Sequence, residues 1–108
     1  MTIGEAREIA ALIAAPTLRT VESCPWQIGK NYFIRTVTHH HTGRLVQVTQ
    51  HELVLEGAAW IADDGRLTDA LKNCEFNEVE MFPPGHTIIG RGSLIDAHEI
   101  STIPTSQK

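Results

Sequence analysis

The chain opens with apolar residues at helical spacing. Thr2 and Glu5 have the spacing of a capping box, in which each side chain satisfies a backbone N–H at the start of a helix. Pro16 ends the pattern, because it lacks an N–H and restricts the residue before it. The sequence therefore predicts an N-terminal α-helix over residues 3–14, within a segment covering residues 1–16. Its apolar stripe consists of Ile3, Ala6, Ile9 and Ile13.

Short segments rich in β-branched and aromatic residues dominate the rest of the chain. Five strands are predicted, and the fourth consists of two halves separated by residues 83–85. A short helical turn is predicted at 68–72, in the insertion between strands 3 and 4. The polar tail, residues 101–108, is expected to be frayed. We therefore predict a mainly β protein with one domain over residues 1–108, in which the helix precedes a small, strongly bent five-stranded barrel at 30–100. The predicted strands cover residues 32–38, 45–49, 53–61, 79–82 with 87–89, and 94–100.

Length and composition exclude several classes of protein. A chain of 108 residues has room for one domain. The net charge of −4 argues against a general polyanion binder, and the longest strongly apolar run, residues 9–15, is shorter than the roughly 20 residues that cross a bilayer. The N-terminus lacks the basic region of a signal peptide, and two cysteines are too few for a disulfide framework. We expect an intracellular, cytoplasmic protein whose Cys24 and Cys74 are small buried thiols.

Two stretches resemble the Sm-like family. Thr42-Gly43-Arg44-Leu45 lies where that family bends a strand pair, and Ile88 to Ile95 contains Arg91-Gly92 between two apolar strands, as in the family's second motif. The resemblance implies an Sm-like (SH3-type) barrel that pairs strands between subunits, giving a homo-oligomeric ring of about five to seven copies. Residues 53–69 and 77–80 are also similar to uncharacterised Sm-like proteins of phage or marine metagenomic origin. A phage-related setting is the corresponding expectation.

Three glycines are predicted to have structural roles. Gly43 and Gly92 stand where the chain is expected to bend sharply, and glycine takes a positive φ without a Cβ penalty. Gly90, with Gly92, suits a bulge or a barrel corner.

The resemblance also implies a candidate RNA site. Sm-like rings bind uridine-rich RNA in the pore, between a loop that supplies Asp and Asn around a stacking side chain and a loop that supplies Arg-Gly. Arg91 and Gly92 match the second loop. In the first loop no Asp is present, and Glu52, which only accepts hydrogen bonds when ionised, replaces the Asn. His51 could still stack on a base. The alternative is that Arg91 is held in a subunit contact.

The histidines suggest a metal site and a pH response. His39 and His41 share a face of an extended chain, and imidazole binds zinc or copper. Two ligands per chain are too few for a metal site, but the symmetry of a ring could bring the histidines of several copies together around its pore. The alternative is that the histidines form a polar hairpin tip. Protonating all six histidines would change the formal net charge from −4 to +2, so partner binding should depend on pH between about 5 and 7.

Charge is unevenly distributed along the chain. Residues 26–50 contain Lys30, Arg35 and Arg44 and no acidic residue, whereas residues 52–80 are strongly acidic. The division fits a ring with one positive and one negative face, and also an ordinary solvated surface.

Taken together, the residues predict a non-enzymatic protein. Gly90-Arg91-Gly92 lacks the Lys-Ser/Thr ending of a phosphate-binding loop, and no cofactor is expected. The predicted function is binding or structural scaffolding by a homo-oligomeric ring. Single-stranded RNA, recognised through Arg91, Gly92, His51 and Glu52, and another protein are the candidate partners, and no membrane is expected to be one. The third alternative is metal binding by the histidine cluster.

Overall fold

The computed structural model describes residues 24–108, so the helix predicted within residues 1–16 lies outside the described residues. Within this range, strands dominate. The elements are β1 (Asn31–Thr36), β2 (His40–Val48), β3 (Glu52–Asp63), α1 (Leu67–Asn73), β4 (Glu78–Met81), β5 (His86–Gly90), a 3-10 helix (Arg91–Ser93) and β6 (Leu94–Ile100).

All strands belong to one antiparallel sheet with the order β4-β3-β2-β1-β6, in which β5 also pairs with β3. The 12-residue β3 has two partners, because residues 52–56 pair with β5 and residues 59–63 pair with β4. The single fourth strand that the sequence predicted is therefore two strands, and the sheet has six strands rather than five. Pro83 and Pro84 separate them, since neither has an N–H with which to continue the ladder.

The strand β2 begins earlier than the sequence indicated. It starts at His40 and includes His41, so two of the three histidines belong to the strand rather than to a hairpin tip. The prediction was wrong because the polar run His39–Thr42 has no alternating pattern of its own. Pairing with Ile61 and Trp60 of β3 holds this part of β2 in the sheet.

A bulge bends β2 against β3 next to Gly43. Thr42 pairs with Ala59 while Arg44 pairs with Glu56, so one residue of β2 faces two residues of β3. One of these two, Gly57, has a φ of 60°, the left-handed conformation that glycine adopts most easily.

Gly90 and Gly92 lie at the corner between β5 and β6 and Gly43 lies at a bulge, as predicted, but the positive φ expected there is not observed. Within residues 24–108, Gly43, Gly90 and Gly92 are not among the glycines with positive φ. Gly43 is needed for close approach, because a Cβ there would lie 3.0 Å from the Cβ of Leu55. A Cβ on Gly90 or Gly92 would meet no atom within 4 Å.

Two apolar clusters lie on opposite faces of the sheet. Successive residues of a strand point to opposite faces, and accordingly Ile34 belongs to one cluster and its neighbour Phe33 to the other. Ile34 and Leu45 are fully buried in the first cluster. The first cluster contains Tyr32, Ile34, Leu45, Leu53, Leu55, Ala58 and Ile89. The second, the helix-side cluster, contains Phe33, Ala59, Ile61, Ala70, Phe76, Val79 and Ile100.

The predicted insertion forms the helix that covers the second cluster. Ala70 of α1 is fully buried, and Cys74 ends the helix in a left-handed conformation with its N–H donating to the carbonyl of Ala70. The rings of Phe33 and Phe76 stack with their centroids 5.8 Å apart. The helical turn predicted at 68–72 is therefore confirmed as α1, and the stacked rings join the segment that follows the helix to the sheet.

The C-terminal tail is bonded to the sheet instead of frayed. Val79 and Lys108 exchange two backbone hydrogen bonds, each 3.1 Å long, and Ile103 packs against the helix-side cluster. The cysteines also differ from the prediction, because Cys24 is exposed and Cys74 is only half-buried. Among residues 24–108, no helix is long and apolar enough to cross a membrane.

Candidate functional site

The structure brings together the two loops in which the sequence placed its candidate RNA residues. Glu52 at the start of β3 pairs with Gly90 at the end of β5, so the turn before one strand lies beside the corner after the other. The backbone N–H of Arg91 donates to the carbonyl oxygen of His51 at 2.8 Å. We call residues 49–52 and the 3-10 helix Arg91–Ser93 the loop pair.

The Arg91 side chain fastens the loop pair. Its Nη1 donates a 2.7 Å hydrogen bond to the carbonyl oxygen of Thr49, in a half-buried position. A guanidinium carries five donors, so this bond leaves others for a ligand. Arg91 therefore joins the loops within one chain, a role that the sequence did not indicate.

Thr49 makes several hydrogen bonds within the turn that carries His51 and Glu52. Its Oγ1 accepts from the N–H of Glu52 at 2.9 Å and donates to the Oε1 of the same residue at 2.7 Å. The N–H of Thr49 also donates to the carbonyl of Glu52 at 2.9 Å. Thr49 and Glu52 have the spacing of a capping box, in which the hydroxyl accepts from the backbone N–H three residues later, and this signal could have identified Thr49 from the sequence.

These bonds leave an exposed imidazole at the tip of the loop pair. His51 and Glu52 are both exposed, and one carboxylate oxygen of Glu52 is engaged within the turn. Gly92 lies in the 3-10 corner with open space where a side chain would be, so it adds no bulk to the loop pair. The arrangement can offer a flat ring for stacking and spare donors on Arg91.

Of the three histidines at the other end of β2, His40 has different neighbours from His39 and His41. The His40 Nδ1 lies 2.8 Å from Oδ2 of Asp64, whereas the ring of His39 contacts Trp60 at a centroid distance of 5.3 Å. The rings of His39 and His41 are 6.2 Å apart. In the part of the chain described, residues 24–108, no three His, Cys, Asp or Glu side chains form a group that could hold a metal.

His41 occupies an apolar setting. Burial lowers the pKa of its imidazole, and the neighbouring His39 and His40 lower it further. Its Nδ1 is buried without a hydrogen-bond partner, and the ring of Phe82 lies 6.0 Å away. This environment favours the neutral ring. The histidines also lie at the opposite end of the nine-residue β2 from the loop pair, a path of about 30 Å along an extended strand.

Ion pairs neutralise most of the predicted basic hairpin. Arg35 binds the carboxylate of Asp96 through two nitrogen atoms, and hydrogen bonding with this guanidinium is the main cause that lowers the pKa of Asp96. Arg44 pairs with Glu56 across the β2–β3 ladder. Only Lys30 of the three basic residues lacks an ion pair among residues 24–108. Of the two alternatives that the sequence left open, these pairs favour an ordinary solvated surface over a strongly positive face.

Comparison with known proteins identifies the fold. No family model matches the chain, and no curated protein matches its sequence. A solved structure, the crystal structure of a heptameric archaeal Sm protein, is similar to this chain, with a TM-score of 0.50 and 21% sequence identity. The match covers 68% of this chain and 90% of the archaeal one.

The fold is Sm-like. This fold is that of residues 24–108, and the predicted N-terminal helix precedes them. At 21% identity the similarity concerns the fold.

Proposed function

We propose that this protein is a non-enzymatic, Sm-like scaffold that assembles into a homo-oligomeric ring. The observation that carries the proposal is a break in the sheet between β5 and β6. These strands are consecutive in the chain, yet β5 pairs with β3 and β6 pairs with β1. The 3-10 helix between them leaves the outer edges of both strands without a strand partner among residues 24–108.

Exposed apolar side chains lie on both edge strands. Ile88 of β5 is 66% exposed and Ile95 of β6 is 58% exposed. An exposed apolar edge strand favours pairing with another chain, since pairing satisfies backbone groups and buries the side chains. Copies that join β5 to the β6 of a neighbour make a head-to-tail contact, which closes into a ring when the rotation allows.

The fold comparison supports a closed ring. The similar archaeal Sm protein is described as heptameric, and this number lies within the predicted range of five to seven copies. A phage-related setting and a cytoplasmic location rest on the sequence resemblance and composition, and they stay part of the proposal.

The assembly mass tests the ring directly. Size-exclusion chromatography with light scattering should give a mass of five to seven times 11.9 kDa that does not change on dilution. Ile88→Lys and Ile95→Lys should each dissociate the assembly, because they place an ammonium group in a desolvated contact. Ile28→Lys is the matched control, since Ile28 is 60% exposed but precedes the sheet. A wild-type monomer at micromolar concentration would refute the proposal.

The loop pair favours a second candidate function, binding of single-stranded RNA by the ring. Its support is the bond from Arg91 to His51, which brings an arginine and an exposed imidazole to one position. Glu52 opposes the hypothesis, because a carboxylate repels phosphate and only accepts hydrogen bonds.

Fluorescence anisotropy with a uridine-rich oligonucleotide tests this second candidate. His51→Ala should weaken binding by about tenfold at low salt, the effect of losing one stacking platform. Arg91→Ala should also lose affinity, and Lys30→Ala, outside the loop pair, measures the general effect of removing one charge. No binding by the wild-type protein at low salt would exclude RNA at this site.

A further inference from the structure

The outer edge formed by β4 and β5 is open along only part of its length. Both strands pair with the same side of β3, so their outer edges follow one another along the sheet. Between them, Pro83 and Pro84 offer no backbone N–H. The edge thus has three parts: β4, the proline segment and β5. They differ in the backbone hydrogen-bonding groups that they can offer to another strand.

The chain's own tail covers the β4 part. The N–H and the carbonyl of Val79 bond to the carbonyl and the N–H of Lys108 at 3.1 Å each, and the Met81 N–H donates to the side-chain oxygen of Gln107. These three backbone groups of β4 face away from β3, and a neighbouring chain would need them in order to pair with this strand. Glu78 and Glu80 add exposed carboxylates on this strand, and charge is a common protection of sheet edges.

The last four residues of the tail are joined to β4 by these edge bonds, whereas Ile103 before them packs against the helix-side cluster. Residues 105–108 are exposed, and a cavity of about 250 Å³ lies between the tail and the segment from Cys74 to Phe76. A single hydrogen bond makes only a small net contribution to stability, because folding exchanges bonds to water for bonds within the protein, and these three bonds involve no buried side chain of the tail. The tail can therefore be unfastened without removing any buried side chain of the core.

We propose that residues 105–108 guard the β4 edge, so that a second copy of this chain can pair only with β5. This inference rests on the proposed ring. The guard restricts the interface to the segment that carries exposed Ile88, and it prevents copies from sliding along the edge into pairings that do not close. A one-residue change of register would reverse the faces of every side chain in the joined strand.

Full-length variants at the end of the tail test the guard. Gln107→Ala with Lys108→Pro removes the bond to Met81 and the donor to Val79. Lys108→Ala is the matched control, because it keeps both backbone bonds. In the double variant, hydrogen exchange at Val79 and Met81 should become about tenfold faster. Light scattering should then show species larger than the wild-type assembly, increasing with concentration, whereas Lys108→Ala keeps the wild-type mass.

The outcomes separate this inference from the proposed function. A double variant whose β4 exchanges faster but whose mass equals that of wild type would overturn the guard and leave the ring standing. Unchanged exchange at β4 would also overturn it. If wild type is monomeric, the ring is refuted. The guard then survives only if the double variant associates where wild type does not.

Discussion

Gly43 lies so close to Leu55 that a Cβ on the glycine would be 3.0 Å from both the Cβ and the Cδ1 of the leucine. The Cα of Ala58 would be 3.4 Å away on the same strand. Leu55 is fully buried in the first cluster, so it has little room to move. The contact places the bend of the β2–β3 ladder at a position where only glycine fits without a shift of the neighbouring strand.

Gly43→Ala should therefore destabilise the protein by about 1–3 kcal/mol, the usual cost of overpacking a core. Gly90→Ala is the matched control, because its new methyl group would meet no atom within 4 Å and its φ of −70° suits any residue. Urea unfolding of both variants measures the difference. Equal stability of the two variants would show that the Gly43 contact relaxes freely.

Arg91→Ala should loosen the turn at residues 49–52 even where no RNA is present. It removes the 2.7 Å bond to the Thr49 carbonyl, and one bond from a charged donor is worth about 1–3 kcal/mol. Hydrogen exchange across 49–52 should accelerate, while exchange in β1 changes little. Arg91→Lys should restore part of the protection, since it keeps a cationic donor. Unaltered exchange in the turn would contradict the fastening role.

His41 should make the folded state sensitive to mild acid. Burial lowers its pKa in the folded state, so the unfolded chain takes up the proton first as the pH falls. Stability is therefore full above the unfolded value of about 6.5 and decreases as the pH drops from there toward the lower folded value.

Thermal unfolding at several pH values between about 8 and 5 tests this response. His41→Gln should reduce the loss of melting temperature on acidification, because the variant has no proton to take up at this position. His51→Gln reports how the loss of an exposed histidine affects the same slope. If the melting temperature of His41→Gln falls with pH as steeply as that of wild type, the acid sensitivity does not come from His41.

Phe76→Ala should show that the insertion is part of the folding unit. Phe76 is 2% exposed and stacks on Phe33, and truncating a buried phenylalanine costs about 3–5 kcal/mol. Leu67→Ala in α1 is the control, since Leu67 is 37% exposed and should cost much less. Chemical unfolding should remain a single transition in both. A separate early transition for α1 would mean that the helix folds independently of the sheet.

The candidate site was predictable in part. The resemblance to the Sm-like family pointed to Arg91, Gly92, His51 and Glu52, and the structure places them in one loop pair through the bond between Arg91 and His51. The role of Arg91 within the chain was not predictable, because it depends on the position of a carbonyl oxygen 42 residues away. The pairing of Arg35 and Arg44 with acidic residues was missed for the same reason.

The sequence by itself determined the local structure: β-branched runs specified most strands, prolines divided β4 from β5, and the pattern at 68–72 specified α1. Only the tertiary structure decided which edges are covered, why Gly43 must be glycine, and that Lys108 reaches Val79. The physical reason is the distance along the chain over which each kind of interaction acts. Local preferences act over a few residues, whereas strand pairing, close approach and edge protection depend on atoms that only the complete fold brings within hydrogen-bond or van der Waals distance.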